Sequence, residues 1–273
     1  MTAYNAFFMF TLAVGGGLLV KWLAETGFGT KSLESAAARF NSMPYYFPFA
    51  VLLGWLLLSS LGSSVSEKLT SEMTGWRQKF ATFSVFFAIE VVVIFFIINS
   101  AKKYFAGGLY GFGLRIKNIF RDFAAAAGNF LAVWPPTLLS LTAVVYIGKF
   151  IVGPDFSMEK NEGLVVLLEY EQLSLRILMI VFAACLTPIF EELVFRGLLQ
   201  SYFRENLYFG PWQSIFIVSA IFAVLHPLMH FPAIFILSAA MGYSYEKSGS
   251  LLRPIFIHIF FNGTTIAFAL LSS

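Results

Sequence analysis

Hydrophobic and polar positions alternate along this chain in long blocks rather than in the short periods of a soluble fold. Apolar runs of about 20 residues, the length at which a helix crosses roughly 30 Å of hydrocarbon, recur from one end to the other. In lipid only helices and closed barrels satisfy their own backbone groups. The pattern therefore predicts an all-α, polytopic transmembrane helix bundle of about eight spans, at residues 5–23, 46–61, 80–98, 130–147, 173–202, 214–229, 231–245 and 251–271.

The composition supports a membrane protein. Only 12% of the 273 residues are charged and 58% are hydrophobic, whereas about 25% of the residues in an average soluble domain are charged. The net charge of +3 is spread through connecting loops and gives no signature of nucleic-acid binding. Most of the 18 lysines and arginines fall in odd-numbered connections, which predicts that these loops are cytoplasmic and that both termini are outside. The short loops favour a multi-pass protein of the bacterial cytoplasmic membrane.

Polar side chains at membrane depth are concentrated in the last hundred residues. We expect residues 1–171 to form N-terminal spans and loops of unknown role, with Glu90 as their exceptional buried carboxylate, and residues 172–273 to form a catalytic helical core. A charged side chain near a bilayer centre costs roughly 2.5 to 3.5 kcal/mol on insertion scales. Such residues are therefore retained for a purpose, either chemical or structural.

The first polar cluster is a pair of adjacent carboxylates, Glu191 and Glu192, followed by Arg196. Residues four apart share one face of a helix, whereas adjacent residues point about 100° apart. Glu192 and Arg196 are therefore predicted to pair, which leaves Glu191 as the reactive carboxylate. The alternative is that all three charges only tie helices together.

Two histidines on later spans extend the predicted site. His226 lies on the sixth predicted span, and His258 lies on the eighth, one turn from Asn262. A single buried histidine is more often a core residue, but two on separate helices with an aligned amide favour a site. Counting about 1.5 Å per residue, these histidines and Glu191 should lie at similar depth and meet in one cavity. His230 is predicted to be an interfacial residue.

Three motifs carry a resemblance to a known family. The sequence reads E-E-x-x-x-R at 191–196, F-x-x-x-H at 222–226 and H-x-x-x-N at 258–262. Each is weak by itself, but the three in this order resemble the CAAX-protease and bacteriocin-processing (CPBP, or Abi) family of intramembrane endopeptidases. The resemblance covers roughly residues 172–271 and leaves the N-terminal spans outside it.

The resemblance implies peptide hydrolysis by a glutamate-activated water. In this interpretation buried Glu191 is the general base that takes a proton from water. His226 would help to hold that water or a metal ion, and His258 and Asn262 would donate hydrogen bonds to the oxyanion. The substrate would be a membrane-associated or prenylated-type peptide or a membrane-anchored protein, met within the lipid bilayer.

The sequence leaves metal dependence open. Glu191, His226 and His258 could form a catalytic Zn²⁺ set with one open position. No H-E-x-x-H run, which places two zinc ligands and a base on one helix, occurs in the sequence. The resemblance is therefore compatible with a metal-free enzyme and with a zinc enzyme.

Two other functions remain as alternatives. The chain could be a non-enzymatic scaffold or bacteriocin-immunity factor of the same fold, which binds a membrane peptide without cutting it. It could also be a proton-coupled transporter, because buried carboxylates and histidines form proton relays. The sequence shows no inverted repeat, which disfavours the transporter.

Overall fold

The computed structural model describes residues 3–159 and 161–272, and every regular element in these two ranges is a helix. Two short 3₁₀ turns, Ile116–Asn118 and Leu228–His230, and two π-helical segments, Phe182–Leu186 and Leu193–Gln200, accompany the α-helices. The α-helices are α1 Ala3–Thr26, α2 Phe47–Leu69, α3 Trp76–Tyr104, α4 Gly108–Phe112, α5 Ile119–Val152, α6 Glu162–Glu169, α7 Leu173–Val181, α8 Thr187–Glu192, α9 Ser201–Glu205, α10 Pro211–Val224, α11 Phe231–Ser248 and α12 Leu252–Ser272. The predicted all-α class is confirmed.

Seven helices of the described residues are long and apolar enough to cross a membrane. The spans carry large hydrophobic side chains on exposed surfaces, such as Leu57, Val92 and Phe95, as lipid contact requires. The protein is therefore a multi-pass membrane protein. The candidate spans are Phe8–Thr26, Phe47–Leu69, Trp76–Tyr104, Ile116–Val152, Leu173–Glu205, Leu228–Ser248 and Leu252–Leu271.

The count differs from the predicted eight at one helix. The sixth predicted span, residues 214–229, corresponds to α10, which has only 14 residues and is about 21 Å long at 1.5 Å per residue. It stops early because the chain after it contains Pro227 and Pro232, which lack the backbone N–H of a helix interior. The seventh predicted span, expected to be short, is instead a 21-residue segment that begins at Leu228.

The helices form two compact units, each assembled from separate stretches of the chain. The first unit comprises Met1–Ala38, Gly113–Glu159 and Phe203–Ile257. The second comprises Arg39–Phe112, Lys160–Tyr202 and His258–Ser273. Each unit thus contains residues from both sides of the boundary predicted at residue 172, and the predicted functional division of the chain stays a prediction.

Helices α1, α5, α10 and α11 build the first unit. Trp22 donates its indole N–H to the Tyr243 hydroxyl at 2.8 Å, and this ties α1 to α11. Near one end of the unit, buried Asp122 accepts hydrogen bonds from Arg253 Nε at 2.8 Å and from Ser250 Oγ at 2.7 Å. The carboxylate is therefore compensated, and these contacts fix the start of α12 against α5.

The second unit packs α2 and α3 against the long helix that runs from Leu173 to Glu205. An apolar cluster forms one part of its core, with Phe83 of α3 and Leu175 and Met179 of α7 among its buried members. Elsewhere Phe112 is fully buried, and its ring lies where a side chain on Gly197 would begin. The glycine directly after Arg196 is therefore required by packing.

We expect Gly197→Ala to destabilise the protein by about 1 to 3 kcal/mol, the usual cost of inserting a methyl group into a filled core. The added Cβ would meet the Phe112 ring, and both positions are enclosed. Thermal unfolding in detergent measures the loss. Gly54→Ala on α2 is the matched control, because a Cβ there meets nothing within 4 Å; equal behaviour of the two variants would contradict the packing argument.

Candidate active site

The carboxylates of the first motif stand on a short α-helical piece between two π-helical segments. Pro188 lies in this piece and has no N–H to donate. In the preceding segment the Thr187 N–H donates to the Phe182 carbonyl, five residues back, so the next carbonyl in that pattern, Ala183 O, would need the N–H of Pro188. Proline thus leaves a backbone acceptor unpaired within the helix, three residues before Glu191.

Asn262 satisfies that acceptor. Its side-chain Nδ2 donates to the Ala183 carbonyl oxygen at 2.8 Å, which joins α12 to the π-helical segment of the long helix. The amide group has two hydrogens, and this contact uses one of them.

Glu192 is the centre of the polar cluster. Its side chain is fully buried, and Oε1 accepts from Arg196 Nη1 at 2.8 Å. The same oxygen lies 2.9 Å from Nδ1 of His258. The predicted pairing of Glu192 with Arg196 is therefore present, and the carboxylate also binds the histidine of the third motif.

The contact with Glu192 sets the orientation of His258. A carboxylate is an acceptor, so the proton on this side of the ring belongs to Nδ1. The other ring nitrogen, Nε2, lies 3.5 Å from Oε2 of Glu191. Glu191 and Glu192, adjacent in sequence, thus face opposite nitrogens of one imidazole ring.

Glu191 differs from Glu192 in its exposure. The Glu191 side chain is 14% exposed, whereas the Glu192 side chain is 0% exposed. Its carboxylate approaches Nε2 of His258 at a distance longer than a good N–H···O bond, which is about 2.9 Å. Two atoms 3.5 Å apart can both hydrogen-bond to one water placed about 2.8 Å from each.

Glu90 joins this cluster from the N-terminal half. Its carboxyl group is buried on α3, and the Thr187 hydroxyl lies 3.0 and 3.2 Å from its two oxygens. The Glu90 and Glu191 carboxyl groups are also close enough to interact electrostatically. The sequence analysis identified Glu90 as an intramembrane carboxylate but did not identify Thr187. The position of Thr187, one helical turn before Glu191, could have indicated it.

His226, the histidine of the second motif, belongs to the first unit. It lies just beyond the end of α10, and its Nδ1 is 2.8 Å from the Phe222 carbonyl oxygen. This contact orients the ring and leaves Nε2 for another partner. The predicted convergence of His226 with Glu191 and His258 stays a prediction, whereas the approach of Glu191 to His258 is present within the second unit.

His230 lies in a turn, and its predicted interfacial location stays a prediction. It ends the 3₁₀ turn Leu228–His230, and its Nε2 is 3.0 Å from the Glu159 carbonyl oxygen. The chain has already left α10 at this point, so His230 does not share a helix face with His226. Its contact is with a loop backbone.

The donor set of the second unit does not by itself suit zinc. A catalytic zinc site takes three protein ligands, and Nε2 of His258 and the Glu191 carboxylate supply two. Within the described residues of this unit no group of three or more His, Cys, Asp or Glu side chains is placed to hold a metal ion. A zinc site would need a ligand from elsewhere, for which His226 is the sequence-derived candidate.

Comparison with known proteins identifies the class of this helical core. Residues 173–264 match the family model described as "Type II CAAX prenyl endopeptidase Rce1-like". The match contains the three motifs and confirms the predicted resemblance of this segment to the CAAX-protease and bacteriocin-processing family. Glu90 lies outside the matched segment.

A curated relative extends the similarity beyond the matched segment. The chain is 25% identical over 183 residues to a protein of Escherichia coli described as an "Uncharacterized 24.3 kDa protein", an alignment that covers 63% of this chain and 83% of the relative. That description names no activity. No solved structure matches the chain.

We expect Glu192→Ala to destabilise the protein by about 3 to 5 kcal/mol, because it strands the buried Arg196 charge. Unfolding in detergent, followed by circular dichroism, measures the effect. Replacing both partners, as Glu192→Leu with Arg196→Met, should recover much of the loss, since a buried ion pair can be exchanged for apolar residues of similar volume. A double variant less stable than Glu192→Ala would contradict this account.

Proposed function

We propose that this protein is an intramembrane endopeptidase that hydrolyses a peptide bond through a water activated by Glu191. The observation that carries the proposal is the 3.5 Å approach of Glu191 Oε2 to His258 Nε2, with Nδ1 of the same ring held by Glu192. One water can bridge the two atoms. The match of the surrounding segment to CAAX-type endopeptidases supports a peptide substrate.

The proposed reaction begins with the bridging water. Glu191 takes a proton from it, and the oxygen attacks the carbonyl carbon of the substrate while the carbonyl oxygen becomes an oxyanion. His258 donates to the oxyanion from Nε2, and Asn262 donates its second amide hydrogen. Glu191 then gives its proton to the leaving nitrogen, the C–N bond breaks, and a carboxyl and an amine product leave.

The charges around His258 suit this assignment. In the proposed reaction the His258 ring is doubly protonated, so that both of its nitrogens can donate a hydrogen bond. Two carboxylates, Arg196 and this ring then sum to zero charge. Burying a neutral group of paired ions costs less than burying an uncompensated charge. Arg196 and Glu192 hold the imidazole in place, and Glu191 remains the group that exchanges a proton.

The substrate class follows from the location of the site. Both carboxylates lie within the span Leu173–Glu205, so a peptide bond must enter the membrane region to reach them. A membrane-anchored protein or a prenylated-type peptide meets this requirement, because its lipid or apolar segment brings the bond to that depth. We propose the bacterial cytoplasmic membrane as the site of action, on the basis of the short loops of the chain.

We expect Glu191→Gln to reduce the rate of peptide cleavage by at least about 10² to 10⁴-fold, the contribution of a general base. The assay uses purified protein in detergent with an apolar peptide library, and mass spectrometry detects the products. Glu67→Gln, an exposed carboxylate on α2, is the control and should retain activity. Cleavage that persists in folded Glu191→Gln would favour the non-enzymatic scaffold instead.

The proposed reaction uses no metal ion, so we expect activity to survive a chelator and zinc to be absent from the purified protein by elemental analysis. His226→Ala should lower the rate even so, if its free Nε2 holds water or substrate. The metal-free reaction would be contradicted if a chelator removed the activity and added zinc restored it. If zinc did not restore the activity of His226→Ala, Glu191, His226 and His258 would be favoured as the ligands.

A further inference from the structure

The buried carboxyl group of Glu90 has no part in the proposed reaction, yet this group lies close to Glu191, the proposed general base. Glu90 is 3% exposed and stands in the middle of the span Trp76–Tyr104. An ionisable residue at this depth is rare, and its cost must be offset by a partner or a function. The Thr187 hydroxyl partners it, at 3.0 and 3.2 Å from the two carboxyl oxygens.

Thr187 links Glu90 to the residue that does the chemistry. It begins α8, the six-residue piece that carries Glu191 and Glu192. Thr187 and Glu191 are four residues apart and so lie on the same face, one turn from each other. A contact that fixes the rotation of Thr187 about the helix axis therefore also fixes the direction in which Glu191 points.

This short piece needs an external constraint. π-helical segments on both sides of it have wider turns than an α-helix and are tolerated where side chains or neighbours compensate for altered backbone bonding. Asn262 supplies one such contact, to Ala183 before α8. Glu90 supplies a second, from a different helix, directly to α8.

We propose that Glu90 is a positioning residue, which holds Glu191 in its reactive orientation through the hydrogen bond with Thr187. The proposal rests on the proposed function of Glu191. It assigns a role in catalysis to the first half of the chain, which lies outside the family match. The carboxyl group suits this task because both of its oxygens lie within hydrogen-bond distance of the hydroxyl, which restrains the rotation of α8.

The test is a double-mutant cycle with conservative rescues. Glu90→Leu and Thr187→Val each remove the hydrogen bond with little change in volume, and each should lower kcat on the order of tenfold, as a small misplacement of a catalytic group does. KM should change less than about twofold, because neither residue contacts substrate. The double variant should be no slower than the slower single variant, because both changes remove the same contact.

Glu90→Gln and Thr187→Ser keep the hydrogen bond and should restore at least half of the wild-type kcat. A purely structural role would instead lower the yield of folded protein and leave kcat per folded molecule unchanged. Multiplicative losses in the double variant, or wild-type kcat in folded Glu90→Leu, would overturn the proposal. Inactive Glu191→Gln alongside fully active Glu90→Leu would refute this inference alone, whereas active Glu191→Gln would refute the proposed function.

Discussion

The site depends on one shared acceptor, the Oε1 atom of Glu192. This oxygen accepts a hydrogen bond from Nη1 of Arg196, on the same helix, at 2.8 Å, and it lies 2.9 Å from Nδ1 of His258 on α12. Burying a carboxylate, a guanidinium and an imidazole in an apolar bundle is favourable only when they compensate one another with good geometry. The requirement to satisfy Glu192 therefore decides where α12 docks and which nitrogen of His258 faces Glu191.

Proline and asparagine add a second constraint of the same kind, now on the backbone. Pro188 removes a backbone N–H donor from the long helix, and a carbonyl in the membrane core has no water that could donate a hydrogen bond instead. Asn262 supplies the missing donor to Ala183. The third motif is thus bound at two points one turn apart, through His258 to Glu192 of the first motif and through Asn262 to Ala183 before that motif. Two contacts prevent α12 from rotating about its axis, which a single contact would not do.

These constraints explain how a partly exposed and a fully buried carboxylate can stand side by side. Glu192 is fully buried and contacts both Arg196 and His258. Glu191 retains 14% exposure, enough for contact with water or substrate. In the proposed reaction one carboxylate supplies rigidity and its neighbour supplies basicity, which is how a catalytic group keeps its orientation without losing its reactivity. Glu90 and Thr187 extend the same support to the reactive carboxylate.

The sequence by itself determined what depends on length, composition and local spacing: an all-α membrane protein, the three motifs that resemble a known family, and the pairing of Glu192 with Arg196 four residues later. Only the tertiary structure decided that α10 is short, that His258 binds Glu192, that Asn262 binds Ala183, and that Glu90 meets Thr187 across 97 residues. The physical reason is that lipid is as apolar as the protein interior, so hydrophobic periodicity does not reveal which face of a span is turned inward. The rotation of each helix is set by a few polar contacts between residues far apart in the sequence. The sequence contains these residues but does not show which of them contact one another.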